Sequence, residues 1–199
     1  MMDTSEETRP RGRPRSEAAR TAILAAAMAL LLDEGLHAMS MDDLAERAGV
    51  SKATIYRWWA SKELLALDAL ATEWATPSSI RQRDTGNLRG DLLAVLRPWI
   101  RQVNEGPFGR VIAGLVAQAQ TDADFATLYR EHFVQPRRAA MRVVLRRAIA
   151  RGEIAPDTDL EVTLDLLYGP IYHRLLHRHA PLNDRFIKDV VDAVIKAIA

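Results

Sequence analysis

The 199-residue chain predicts an all-α protein: an N-terminal three-helix domain built on a helix-turn-helix, then a longer C-terminal helical domain. Three observations carry this. Ala, Leu, Arg and Glu dominate, and all of them favour helices. Val, Ile and Thr nowhere alternate with polar residues over a strand's length, so no strand is expected. Apolar side chains recur at helical spacing between residues that start and stop helices.

Each element has its own signal. Residues 1–15 are polar, with proline and glycine, and read as a disordered basic arm. A first helix is expected over residues 16–34; Ile23, Ala26, Ala27, Leu30 and Leu31 form its buried stripe, and Gly35 stops it. Ser40 caps the second helix, with Asp43 as the capping-box acid, and Gly49 ends it. Ser51 caps a third helix over residues 52–59, and Ser61 a fourth that runs to about residue 76. Residues 16–76 thus form one domain, with the helix-turn-helix at about 40–59. Pro-Ser-Ser and Thr-Gly-Asn mark residues 77–87 as a linker. The second domain, residues 88–199, holds helices at 88–104, 107–120, 122–151, 158–177 and 183–198. Pro98, Pro136 and Gly169-Pro170 fall inside them and are expected to bow them.

Composition narrows the function. There are no cysteines, which excludes a disulfide framework and thiolate metal sites and fits a reducing cytoplasm. The basic residues 9–20 followed by the apolar run 22–32 mimic a signal peptide. That run is too short to span a membrane and ends in Asp33-Glu34, so it reads as a core helix of a soluble protein. Net charge is only +1, but it is segregated. Residues 9–20 carry five arginines against Glu17; residues 33–46 carry five acids and no base; residues 47–62 carry four bases and no acid. Two basic segments near one end suit an anionic polymer.

The second and third helices explain which polymer. A helix-turn-helix packs two short helices at a steep angle, which needs a small residue at the crossing and a turn residue tolerant of positive φ. Ala45 and Gly49 supply these, and Val50 plugs the turn. Ile55 and Trp59, four apart, turn one face of the third helix to the core. Lys52, Ala53, Tyr56 and Arg57 occupy the opposite face, where small, basic and aromatic groups can enter a DNA major groove.

Gly49-Val50-Ser51-Lys52-Ala53-Thr54-Ile55-Tyr56, then Trp59, then Ser61-Lys62-Glu63-Leu64, resembles the signature of the tetracycline-repressor (TetR) family. Gly12-Arg13-Pro14-Arg15 is similar to the arm common there, and the match covers about residues 11–75. Arg151-Gly152-Glu153-Ile154, Asp157-x-Asp159 and Leu166-Leu167-Tyr168-Gly169-Pro170 resemble the C-terminal ligand and dimer domain of one branch. Two positions depart from the pattern: Ala60 replaces the common proline, and Trp58 a common histidine or arginine. The resemblance implies that Ser51 belongs to the DNA-binding set and that Lys52 and Ala53 face bases. Thr54 and Tyr56 would bond phosphates, with Tyr56 also within reach of a base; Arg57 would reach the backbone, and Lys62 would grip one phosphate at a helix start. It implies that Ser40 and Met41 set another helix N-terminus against the backbone. Arg13 and Arg15 would enter a narrow minor groove.

For the second domain the resemblance implies a homodimer on a two-fold DNA operator and a pocket for a small-molecule effector. Leu164, Leu167, Ile171 and Leu175, with Ile187, Val191, Val194 and Ile198, read as intramolecular core or, as the resemblance implies, as the dimer contacts of a four-helix bundle between subunits. Trp74, Trp99, Phe108, Tyr129, Phe133, Tyr172 and His173 are the expected pocket residues. His173 and His177 share a helix face near His179, but Arg174 between them repels a cation, so no metal is expected. No sequence-local motif suggests a catalytic triad or a cofactor. The expectation is a cytoplasmic, non-enzymatic transcriptional regulator, most often a repressor. Its rivals are a non-specific DNA-organising protein, and a helical carrier or enzyme with incidental basic segments.

Overall fold

A computed structural model describes the backbone of residues 13–72, 84–104 and 107–198, all of it helix, turn or loop. The N-terminal part holds α1 (Arg13–Asp33), α2 (Gly35–Ala38), α3 (Met41–Ala48), α4 (Lys52–Tyr56) and α5 (Lys62–Thr72). The C-terminal part holds α6 (Leu88–Asn104), α7 (Phe108–Thr121), α8 (Ala123–Tyr129), a π-helical turn (Arg130–Val134), α9 (Gln135–Ala150), α10 (Leu160–His177) and α11 (Asp184–Ile198).

Most predicted caps are in place. Ser40 and Ser51 accept hydrogen bonds from the backbone N–H groups of Asp43 and Thr54, each at 3.2 Å. Gly49 ends α3 at φ +65°, a conformation that an L side chain rarely adopts. Asp159 accepts from the N–H groups of Glu161 and Val162 and so starts α10. The Arg151-Gly152-Glu153-Ile154 stretch has a structural explanation too. Arg147 and Arg151 hold the buried Asp91, Glu153 accepts from the Leu88 N–H at the start of α6, and Ile154 is buried.

Three expectations change. The first helix begins at Arg13, not residue 16, because Pro14 is tolerated in a first turn whose N–H groups have no helical partner anyway. The basic arm shrinks accordingly, and residues 1–12 lie outside the described residues, as do 77–83 of the linker. The recognition helix α4 ends at Tyr56 and passes into a turn before Trp59. The long helix expected over 122–151 is interrupted. Pro136 has no N–H for the carbonyl of His132, and the ladder widens so that the Gln135 N–H bonds the carbonyl of Arg130, five residues back.

The buried apolar side chains form one continuous cluster from Ile23 to Val194, not two separate cores. α1 packs on α3 and α5; α5 in turn packs on α8 and the π-turn, and α2 on α7. The N-terminal helices are therefore seated directly on the C-terminal part.

Candidate nucleic-acid interface and the cavity behind it

α4 is divided by its own geometry. Ile55 is fully buried and Trp59 nearly so, while Ser51, Lys52, Ala53, Tyr56 and Arg57 are exposed. Tyr56 is 53% exposed, a large fraction for an aromatic ring. Thr54 is half-buried, and its hydroxyl lies 3.0 Å from that of Ser51. Lys52 is held by Asp42 at 2.8 Å, and this hydrogen-bonded carboxylate raises its pKa above the ordinary lysine value. In the free protein this face is therefore exposed, basic and aromatic, with its leading lysine already engaged.

Three expected phosphate contacts are occupied internally. The Lys62 ammonium donates to the carbonyls of His37 (3.1 Å) and Met39 (2.9 Å), closing the C-terminal end of α2, where a cation is electrostatically favoured. Two of its three N–H bonds are thus spent, which leaves the start of α5 to its backbone N–H groups. The Ser40 hydroxyl caps α3 and donates to Asp43 at 2.6 Å. Met41 packs against the core. The side chains of Arg13 and Arg15 and all of Trp74 lie outside the described residues.

Trp59 does more than fill the core. Its Nε1–H donates to Asp68 Oδ2 at 2.9 Å, and the other carboxylate oxygen lies 3.2 Å from His132 Nδ1 in the π-turn. Asp68 therefore joins the base of the recognition helix to the C-terminal part. No sequence signal could have found it, because Asp68 and His132 are 64 residues apart. Trp58 is 37% exposed and tilts against Trp59 at 6.2 Å between ring centres.

One turn from His132 lies a cavity of about 260 Å³ lined by Val116, Tyr129, Val134, Arg137, Arg138, Tyr168 and Tyr172. Arg137 donates to the Tyr172 hydroxyl at 3.4 Å, and its guanidinium lies 3.5 Å over the Phe133 ring and 5.5 Å from Trp99. Burial lowers its pKa to about 10, and burial raises that of Tyr168 to about 12. Of the expected pocket residues, Tyr129 and Tyr172 line the cavity, and Phe133 and Trp99 back it. Phe108 is core elsewhere, and His173 is exposed on α10 beside His177 and His179, with ring centres at 4.6 and 4.8 Å. Sequence reasoning missed Arg137, a charged residue among aromatic ones, and Tyr168, whose place in the lining depends on how α10 packs against α7 and α9.

Most of the expected dimer contacts are turned inward in the single chain. Leu164, Leu167, Ile171, Leu175, Ile187 and Val191 are buried inside a single chain, packed among α10, α11, α6 and α7, and Ile198 is half-buried. α10 is apolar on more than one face, and its most regular stripe is the one turned inward, whereas α11 is apolar on one face only. The outer face of α10 shows Val162 (53% exposed), Leu166 (43%) and Leu176 (43%). A groove beside it is lined by Leu166, Pro170, Phe186, Val190, Ala193 and Val194 among others, so Val194 alone of the expected set borders it.

A capped helix-turn-helix with a buried heel and an exposed basic face, seated on a helical second domain, defines a DNA-binding transcriptional regulator. Residues 23–69 match the family of bacterial regulatory proteins of the tetR type, and residues 82–194 match a tetracyclin repressor-like C-terminal domain. The chain belongs to the TetR family. It is 38% identical to the HTH-type transcriptional regulator YdeS of Bacillus subtilis, over 94% of this chain and 93% of that one. It is 33% identical to a DNA-binding transcriptional repressor, TetR, of Mycobacteroides abscessus, over 91% and 94% of the two chains. The crystal structure of the TetR family transcription regulator SCO0332 superimposes with a TM-score of 0.77 at 40% identity, covering 91% of this chain and 98% of that one.

Proposed function

We propose that two copies of this chain bind a two-fold DNA operator in the cytoplasm as a repressor, and that a small molecule in the C-terminal domain releases them. The protein acts by binding, not by turnover. The observation that carries this is the split of α4: Lys52, Ala53, Tyr56 and Arg57 face outward while Ile55 and Trp59 anchor the helix. Such a helix can lay its N-terminal residues against base edges, with phosphate contacts setting its register.

The outer face of α10, with Val162, Leu166 and Leu176, supports an α10–α11 four-helix bundle between subunits. Among the described residues no helix is long and apolar enough to cross a membrane. The Asp68 bridge supports coupling. A ligand that shifts the π-turn moves His132, and with it the partner of Trp59 at the base of α4.

Selection from a random DNA pool tests the proposal. A two-fold consensus bound by a dimer is expected, with retention lost in Tyr56→Ala. Uniform affinity across sequences with a steep salt slope would instead mark a non-specific DNA-organising protein.

A further inference from the structure

The cavity beside the π-turn carries a chemical preference. Its walls are ring faces and valine methyls: Tyr129, Tyr168, Tyr172, Val116 and Val134. At about 260 Å³ it has room for on the order of ten non-hydrogen atoms, taking a liquid-water share of about 30 Å³ for each. That suits a single substituted ring.

The polar end of the cavity is a hydrogen-bonded pair. The Arg137 guanidinium, buried against Phe133, donates to the Tyr172 hydroxyl, and Tyr129 lines the same cavity. A phenol that accepts from a guanidinium has its own proton polarised for donation. A buried cation in aromatic surroundings favours a ligand of opposite charge and disfavours a cationic one. Arg138, the other cation of the lining, is already committed to Glu161 and Asp165.

We propose that this cavity binds a small aromatic carboxylate, its carboxylate received by the Arg137–Tyr172 pair with Tyr129 beside it, and its ring held between Val116, Val134 and Tyr168. The proposal rests on the effector reading above and names the class of effector. A carboxylate that draws Tyr129 and Arg137 toward it pulls on both ends of the π-turn, and so on His132.

Calorimetric titration of the full-length, DNA-free protein tests this with three probes of one size: benzoate, benzamide and cyclohexanecarboxylate. Benzoate is expected to bind at least about tenfold tighter than benzamide, as a charge-assisted hydrogen bond outweighs a neutral one. It should also bind more tightly than cyclohexanecarboxylate. Arg137→Met should erase the preference for benzoate over benzamide. Tyr172→Phe should weaken benzoate several-fold, and serves as the decisive variant if Arg137→Met does not fold. Equal binding of benzamide, equal binding of the saturated acid, no benzoate heat at millimolar concentration, or unchanged benzoate affinity in Tyr172→Phe would each overturn the proposal. The regulator reading fails separately. Release from the operator by some other compound, undiminished in Tyr172→Phe, would overturn the aromatic carboxylate and leave the repressor standing.

Discussion

The helix-turn-helix and the α10–α11 pair both carry apolar stripes, yet sequence spacing orients the first without ambiguity and leaves two readings open for the second. In α4 a single stripe is apolar, so Ile55 and Trp59 can only be the inner side, and Tyr56 is left outside. In α10 two stripes are apolar. The adjacent leucines Leu166 and Leu167 take opposite fates, 43% exposed and fully buried. Periodicity states that a face is apolar; it does not state which neighbour covers it.

The largest expected effect sharpens the first half of this contrast. Trp59→Ala removes a buried indole and leaves Asp68 without its donor, and should cost about 3–5 kcal/mol of stability in a urea titration. A loss below about 1 kcal/mol would mean that the heel of α4 is not core. The second half is tested by the leucine pair. Leu167→Ala should cost about 2–5 kcal/mol of stability. Leu166→Glu should leave the monomer fold within about 0.5 kcal/mol while converting the dimer to monomer in sedimentation. Equal effects on stability would erase the distinction between the two faces.

Next come the contacts to DNA. Tyr56→Ala should cost about 1–3 kcal/mol of operator affinity with stability unchanged, measured by fluorescence anisotropy. Smaller still is Asp42→Asn, which frees Lys52 from its partner and removes an acid near the phosphates. Operator binding should tighten about two- to threefold at low salt, and the gain should vanish at high salt. If affinity falls instead, Asp42 positions Lys52 and does not restrain it.

Arg142 and Arg138 hydrogen-bond Glu161 and hold its carboxyl at a pKa of about 2, below the ordinary 4.5. A depressed carboxyl contributes stability that is present above its unfolded pKa and is lost as pH falls through the folded one. Glu161→Gln should therefore flatten the stability profile between about pH 4.5 and 2, with little change at neutral pH. An unchanged acid limb would show that the exposed clamp between α9 and α10 contributes nothing measurable.

Much of the N-terminal part was legible because its determinants are local. Caps act over three residues, a turn over one, and a helix face over four, so Ser40, Gly49, Ser51 and Ile55 announce themselves. The roles of Lys62 and Asp68 were not legible. Lys62 reaches 23–25 residues back to α2, and Asp68 reaches 64 residues forward to His132. The cavity is the extreme case. Val116, Arg137 and Tyr168 belong to three helices, and no spacing relates them. The π-turn lies between these cases: Pro136 predicted a disturbance, but its form depended on what packs there.

The central claim is that α4 reads a two-fold operator as part of a dimer. Footprinting on the best sequence from a random-pool selection tests it most directly, with the wild type and Tyr56→Ala compared at moderate salt. The account predicts two symmetric protected half-sites centred about one or more helical turns apart, both lost in the variant. A single asymmetric footprint, or one that persists in Tyr56→Ala, would contradict it.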